Sequence, residues 1–85
     1  MRATVLVRPK EGILDAQGQA VGSSLRQLGF AVADARVGRV VDVELEATDR
    51  EAARAEVERM CQQLLANPLI ESYRILLDGE CDRVA

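Results

Sequence analysis

The chain reads as an α+β domain, a two-layer sandwich with both helices on one face of an antiparallel sheet, and three features of the sequence point there. Val-rich runs at 3–8 and 39–47 alternate from one residue to the next, the two-residue period of a half-buried strand. Apolar residues behind Asp15 and behind Thr48 recur at three- and four-residue spacings, which lays them along one side of a helix. An Asn67-Pro68 step then stops the second helix and hands the chain almost at once to a further alternating run at 70–77.

Each element follows from local chemistry. In the first strand Ala3, Val5 and Val7 oppose Thr4, Leu6 and Arg8, and Pro9, which has no N–H to donate, ends the ladder. Gly12 bends the chain, and Asp15 is a good N-cap for a helix starting at Ala16. Ala20, Val21, Leu25 and Leu28 give that helix its apolar face, and Gly29 supplies a left-handed cap with Phe30 beside it. Gly18 and Gly22 each cost roughly 1 kcal/mol relative to Ala inside a helix. Their four-residue spacing puts both on one side, where another backbone approaches closely, either within the subunit or from another chain.

A second strand, less regular and so carrying a bulge or lying at an edge, is expected at 30–37, where Ala31, Ala33, Ala35 and Val37 oppose Val32, Asp34 and Arg36, with a bend or hairpin at Val37-Gly38-Arg39 leading to the third. In that third strand Val41, Val43, Leu45 and Ala47 alternate with Asp42, Glu44 and Glu46, giving one buried face and one acidic one. Thr48-Asp49-Arg50-Glu51 reads as a capping box opening the second helix. Its apolar stripe is Ala53, Val57, Met60, Cys61, Leu64 and Leu65, with Arg50, Arg54, Glu58 and Gln62 toward solvent. In the fourth strand Tyr73, Ile75 and Leu77 alternate with Ser72, Arg74 and Leu76, and 78–85 is a polar tail expected to be flexible.

The order strand, helix, strand, strand, helix, strand is the split βαβ arrangement called ferredoxin-like, here with a four-stranded sheet in one domain spanning 1–85. The helices should bury Val5, Val7, Val43, Leu45, Tyr73 and Ile75. Leu6, Val40, Ile70 and Leu76 are left for the opposite face, and an apolar patch there points to self-association as a dimer or a tetramer.

Composition narrows the chemistry. Apolar residues make up 48% of the chain but only Phe30 and Tyr73 are aromatic, so the core is aliphatic and stacking on a base or cofactor has little to work with. A net charge of -3 with interleaved signs offers no basic stripe for nucleic acid. No run approaches a membrane span and the N-terminus lacks a signal peptide's pattern, so a cytoplasmic protein is expected. Cys61 and Cys81 form neither a disulfide framework nor a metal-ligand pair, and Cys61 belongs to the core stripe. With no His, a Ser-His-Asp or Cys-His constellation cannot form within the chain. Asp42, Glu44 and Glu46 read as a solvated strand face rather than a site for a hard cation. Arg8 and Lys10 lie near a helix N-terminus that could attract an anion, although Asp15 occupies that cap. No catalytic group and no metal site is expected.

Two stretches carry a family resemblance: PKEGILDAQGQAV at 9–21 and CQQLLANPLIESY at 61–73, together with LGF at 28–30 and RVGR at 36–39. Across nearly the whole chain they resemble PurS, the small subunit of phosphoribosylformylglycinamidine synthase. Ala16, where the family often has Pro, and Ser72, where it often has an acid, are mild departures. The resemblance implies a step of purine biosynthesis in which formylglycinamide ribonucleotide, glutamine and ATP give formylglycinamidine ribonucleotide, glutamate, ADP and phosphate. It implies a non-catalytic subunit bridging a glutaminase subunit and an ATP-dependent synthetase subunit and assisting ammonia transfer. ATP and Mg would be used by the synthetase, and no cofactor would be bound by this chain. By motif match, contacts with those partners would fall on Lys10, Gly12, Asp15, Gln17, Gly18 and Asn67. Gly12, Asp15 and Asn67 also have structural readings as turn and caps, and the two readings coexist.

Two readings from other classes share this element order. An amino-acid-sensing domain of the ACT type binds near a first loop like 12–15, and an acylphosphatase-like hydrolase has the same topology, though no phosphate-binding loop is visible here.

Overall fold

The computed structural model describes residues 1–80, arranged as an antiparallel sheet with two helices. Strand β1 (Arg2–Pro9) is followed by helix α1 (Ala16–Gln27), β2 (Arg39–Glu44), α2 (Arg50–Met60) and β3 (Glu71–Leu77). The sheet has three strands in the order β2-β1-β3, not four. In its register Val5 lies opposite Val41 on one side and Ile75 on the other. The first residue extends the ladder: the Met1 ammonium donates to the Leu45 carbonyl at 2.9 Å, and the Leu45 N–H donates to the Met1 carbonyl at 2.7 Å.

The missing strand is the expected one at 30–37. That segment pairs with no strand in the described chain, and no hairpin forms at Gly38. Instead the chain enters β2 alongside the end of β1, where the Arg36 guanidinium donates to the Pro9 and Lys10 carbonyls. Two local interactions explain the difference. One carboxylate oxygen of Asp15 accepts the Val37 N–H at 2.8 Å, and Ala35 sits on the glycine face of α1, its Cβ 3.5 Å from where a Gly22 Cβ would be. Small residues therefore serve helix packing here rather than sheet packing.

The core joins Ala3, Val5 and Val7 of β1, Ile75 and Leu77 of β3, Leu45, and Ala53, Val57 and Cys61 of the second helical segment. Val43 and Tyr73 pack against it partly buried. Because α2 supplies the stripe, the sheet is covered by one helix. No residue of α1 belongs to this core, and α1 buries only Gly18 and Gly22, so the expectation of both helices over one sheet face does not hold within the described chain. The molecule is elongated as a result, 48 × 26 × 22 Å with a radius of gyration of 15.5 Å, against about 12 Å for a compact domain of this length.

Boundary details differ from expectation for physical reasons. Asp49, not Thr48, caps α2, its carboxylate accepting the Ala52 N–H at 3.0 Å. A single π-helical turn, Cys61–Leu65, follows α2 and is closed by the Ala66 N–H on the Cys61 carbonyl. The wider turn rotates Leu64 out of the stripe, leaving it 83% exposed, while Leu65 still packs on the core. At the other end of α1 the expected glycine cap is present. Gly29 has φ +98°, and the Phe30 and Gly29 N–H groups donate to the Leu25 and Arg26 carbonyls. Of the tail, residues 78–80 form a turn: the Asp78 N–H donates to the Arg2 carbonyl, and Glu80 is ion-paired with Arg50 and Arg54. Cys81 and the rest of 81–85 lie outside the described residues.

Candidate functional site

The stretches 9–21 and 61–73, far apart in sequence, meet at one end of the sheet. Their junction is a backbone bond from the Lys10 N–H to the Ile70 carbonyl, 2.9 Å. On the first stretch β1 ends at Pro9 and Gly12 turns the chain with φ +83°, bringing Asp15 to the start of α1. The Asp15 carboxylate accepts the Gly18 N–H at 2.9 Å with one oxygen and the Val37 N–H with the other, so one side chain fixes both the helix start and the segment entering β2. Gly18 is required for this closeness, since a Cβ there would overlap Asp15 Oδ2 and the Ala35 carbonyl.

On the second stretch Asn67 organises the turn after the π-helical residues. Its side-chain oxygen accepts the Leu69 N–H at 3.1 Å, and its carbonyl accepts the Ile70 and Glu71 N–H groups. Glu71 returns the contact, accepting the Asn67 N–H at 2.7 Å, and forms a bidentate pair with Arg39 at 2.7 and 3.0 Å. Arg39 also donates to the Leu65 carbonyl, tying β2 to the end of the second helix.

Between the two stretches lies an open cleft of about 320 Å3, its apolar surface from Pro9, Ile13, Leu14, Val37 and Ile70 and its polar edge from Asp15, Gln17, Arg39 and Glu71. The charged groups that line it are already engaged. Hydrogen bonds from the Gly18 and Val37 N–H groups, helped by nearby Arg36, hold the Asp15 carboxyl below the usual carboxylate range. The Arg39 guanidinium and the Asn67 N–H do the same for Glu71. No titratable group lining the cleft is poised near neutrality to move a proton, so the cleft suits the docking of an apolar side chain better than catalysis.

Both carboxyls are depressed, so their stabilisation is complete above the ordinary carboxylate pKa and is lost as pH falls through the lowered values. In an NMR titration the Gly18 and Val37 amide resonances are expected to move together with a midpoint below the ordinary Asp value of about 3.9. Asp15→Asn should abolish that transition, and a midpoint at or above the ordinary value would show that the two bonds do not form in solution.

Among the residues singled out from sequence, Lys10, Gly12, Asp15, Gln17 and Gly18 gather on the loop and first turn that border the cleft, and Asn67 shapes the turn facing them. Ile70 was assigned to the apolar sheet face, but β3 begins at Glu71 and Ile70 lines the cleft instead. Leu6, Val40 and Leu76 are on the sheet face away from the core, Leu6 opposite Val40 in the register; Leu6 and Leu76 are half-buried and Val40 is 61% exposed. Sequence reasoning missed Ile13, Leu14, Arg36, Arg39 and Glu71. Arg36 and Arg39 bound the RVGR motif, and Ile13-Leu14 is an apolar pair just before a helix cap. Nothing local announces Glu71.

A sequence profile of the family described as PurS, phosphoribosylformylglycinamidine (FGAM) synthase, matches residues 2–79. The chain is 42% identical over 77 residues to the phosphoribosylformylglycinamidine synthase subunit PurS of Archaeoglobus fulgidus, covering 89% of this chain and 96% of the relative. It is similar to the crystal structure of Methanocaldococcus jannaschii PurS, described as one of the subunits of formylglycinamide ribonucleotide amidotransferase, with TM-score 0.78 and 36% identity over 88% of this chain and 92% of that one. A chain of the PurLQS structure from Thermotoga maritima is also similar, with TM-score 0.81 and 29% identity over 88% and 93% of the two chains.

Proposed function

The chain belongs to the PurS family of phosphoribosylformylglycinamidine synthase in purine biosynthesis, and we propose from this that it is the non-catalytic subunit bridging the complex's glutaminase and ATP-dependent synthetase. In this reading the chain self-associates as a dimer or tetramer in the cytoplasm and binds no cofactor itself, while the synthetase uses ATP and Mg. The observation that carries the proposal is the convergence of the two motif stretches, with Arg39 of the RVGR motif, on one apolar-floored cleft whose charges are internally satisfied. Such a surface can hold a partner without competing for the reaction's protons. Bringing glutaminase and synthetase together has a chemical purpose, because ammonia released into water is protonated and lost as a nucleophile. The Thermotoga maritima PurLQS structure supports membership in a complex of this kind.

Lys10 and Gln17 border this end and are exposed, and among the described residues no hydrogen bond of the fold depends on their side chains. The double variant Lys10→Glu, Gln17→Ala is therefore expected to keep the wild-type fold and thermal midpoint but lose co-purification with both large subunits. Unchanged co-purification would remove this cleft from the interface.

A further inference from the structure

Arg8 of β1, Arg39 of β2 and Arg36 of the segment before β2 come together around one open groove of about 240 Å3. Its other walls are Leu6, Val7, Val37, Gly38 and Val40. Part of its floor is the sheet face away from the core, where Leu6 stands opposite Val40 in the register. Among the described residues no carboxylate lines it. Arg39 is balanced by Glu71, which lies in the neighbouring cleft. Arg36 is not balanced in this way: no ion pair joins it to an acid among the described residues. Asp15 acts on it only through space, because both Asp15 oxygens are taken by the Gly18 and Val37 N–H groups.

Arg36 is nonetheless held in place. Its bonds to the Pro9 and Lys10 carbonyls both run through Nη2, which pins the guanidinium to the end of β1. The Nε and Nη1 N–H groups have no acceptor among the described residues. A cation fixed in this way gives up little rotamer freedom when an anion arrives, and its remaining donors form the stronger, charge-assisted kind of hydrogen bond. We propose that the groove binds the phosphate of a small phosphate monoester, with Arg36 and Arg8 on its oxygens and the organic part against Leu6 and Val40. Guanidiniums that reach one volume from separate elements suit an anion with three acceptor oxygens and up to two charges better than a planar carboxylate with one. The apolar floor favours an ester over free phosphate, which would leave that floor in water. The site lies on the sheet face, away from the α1 cap that Asp15 occupies, and it does not depend on the coupling role proposed above.

Titration of the full chain with phenyl phosphate tests this, followed by the Arg36 Nε–H resonance in nitrogen–proton correlation spectra. That resonance and the Leu6 and Val40 amides are expected to shift along one saturating curve. Inorganic phosphate should bind roughly tenfold more weakly for want of the ring, and benzoate roughly tenfold more weakly for want of the third oxygen and second charge. Arg8→Gln should weaken phenyl phosphate binding about tenfold with the circular dichroism retained. An Arg36 variant would also release the Pro9 and Lys10 carbonyls, so the wild-type titration and Arg8→Gln decide the matter. No saturable shift at millimolar phenyl phosphate would overturn the proposal. So would benzoate binding as tightly as phenyl phosphate, the behaviour of a seat for a protein carboxylate, or Arg8→Gln binding phenyl phosphate as tightly as the wild type.

Discussion

Gly38→Ala is expected to destabilise the domain by about 3 kcal/mol, a large share of the stability of so small a fold. A Cβ at this position would overlap the Val7 carbonyl oxygen, with the Val7 carbonyl carbon at 3.2 Å and the Arg8 Cα at 3.3 Å. All three atoms are backbone of the central strand, so none can swing aside as a side chain would. β1 is bonded to β2 on one side and β3 on the other, and moving it strains both ladders, each lost hydrogen bond costing about 1 kcal/mol. Gly12→Ala is the contrasting change: nothing lies within 4 Å of its Cβ and only the positive φ resists, at about 1–2 kcal/mol. Urea unfolding at fixed protein concentration should rank Gly38→Ala well below Gly12→Ala. The reverse order would mean that the close approach of Gly38 to β1 is not kept in solution.

Leu77→Ala should have a comparable effect, a loss of about 2–5 kcal/mol. Leu77 ends β3 with no exposed surface and is the largest fully buried side chain, in a core whose other fully buried members are short: Ala3, Val5, Val7, Ala53, Val57 and Cys61. With only short side chains among its fully buried neighbours to collapse into the space, the cavity would remain largely open. Leu64→Ala provides the comparison, because the same truncation at an 83% exposed position should change stability by no more than about 0.5 kcal/mol. Equal losses at the two positions would place Leu64 back in the apolar stripe and contradict the π-helical turn.

Much of the local structure could be read from the sequence because local chemistry determines it. Asp15 caps α1, Gly29 ends it, and Asn67-Pro68 stops the second helix, each through contacts within a few residues. The alternating patterns at 3–8, 39–47 and 70–77 identify three strands to within a few residues, since side-chain parity is fixed by one buried face. The segment 30–37 misled because its alternation describes a residue's willingness to pair, while pairing needs a neighbour that the chain does not place there. Asp49 took the cap from Thr48 because two adjacent residues could serve and only the helix start decides between them. Leu64 was misplaced because one wide turn changes the helical phase without any Pro or Gly to announce it. At the cleft, the Gly12–Asp15 loop was legible as a turn and cap, but the Arg39 and Glu71 pair joins residues 32 positions apart and leaves no local pattern.

The coupling role is tested most directly by reconstituting the glutaminase and synthetase subunits with and without this chain, and measuring formylglycinamidine ribonucleotide formation from glutamine and, separately, from ammonium. Glutamine-dependent synthesis is expected to require the chain, while ammonia-dependent synthesis proceeds at the same rate without it. Glutamine-dependent synthesis at full rate in the absence of the chain would contradict the coupling role.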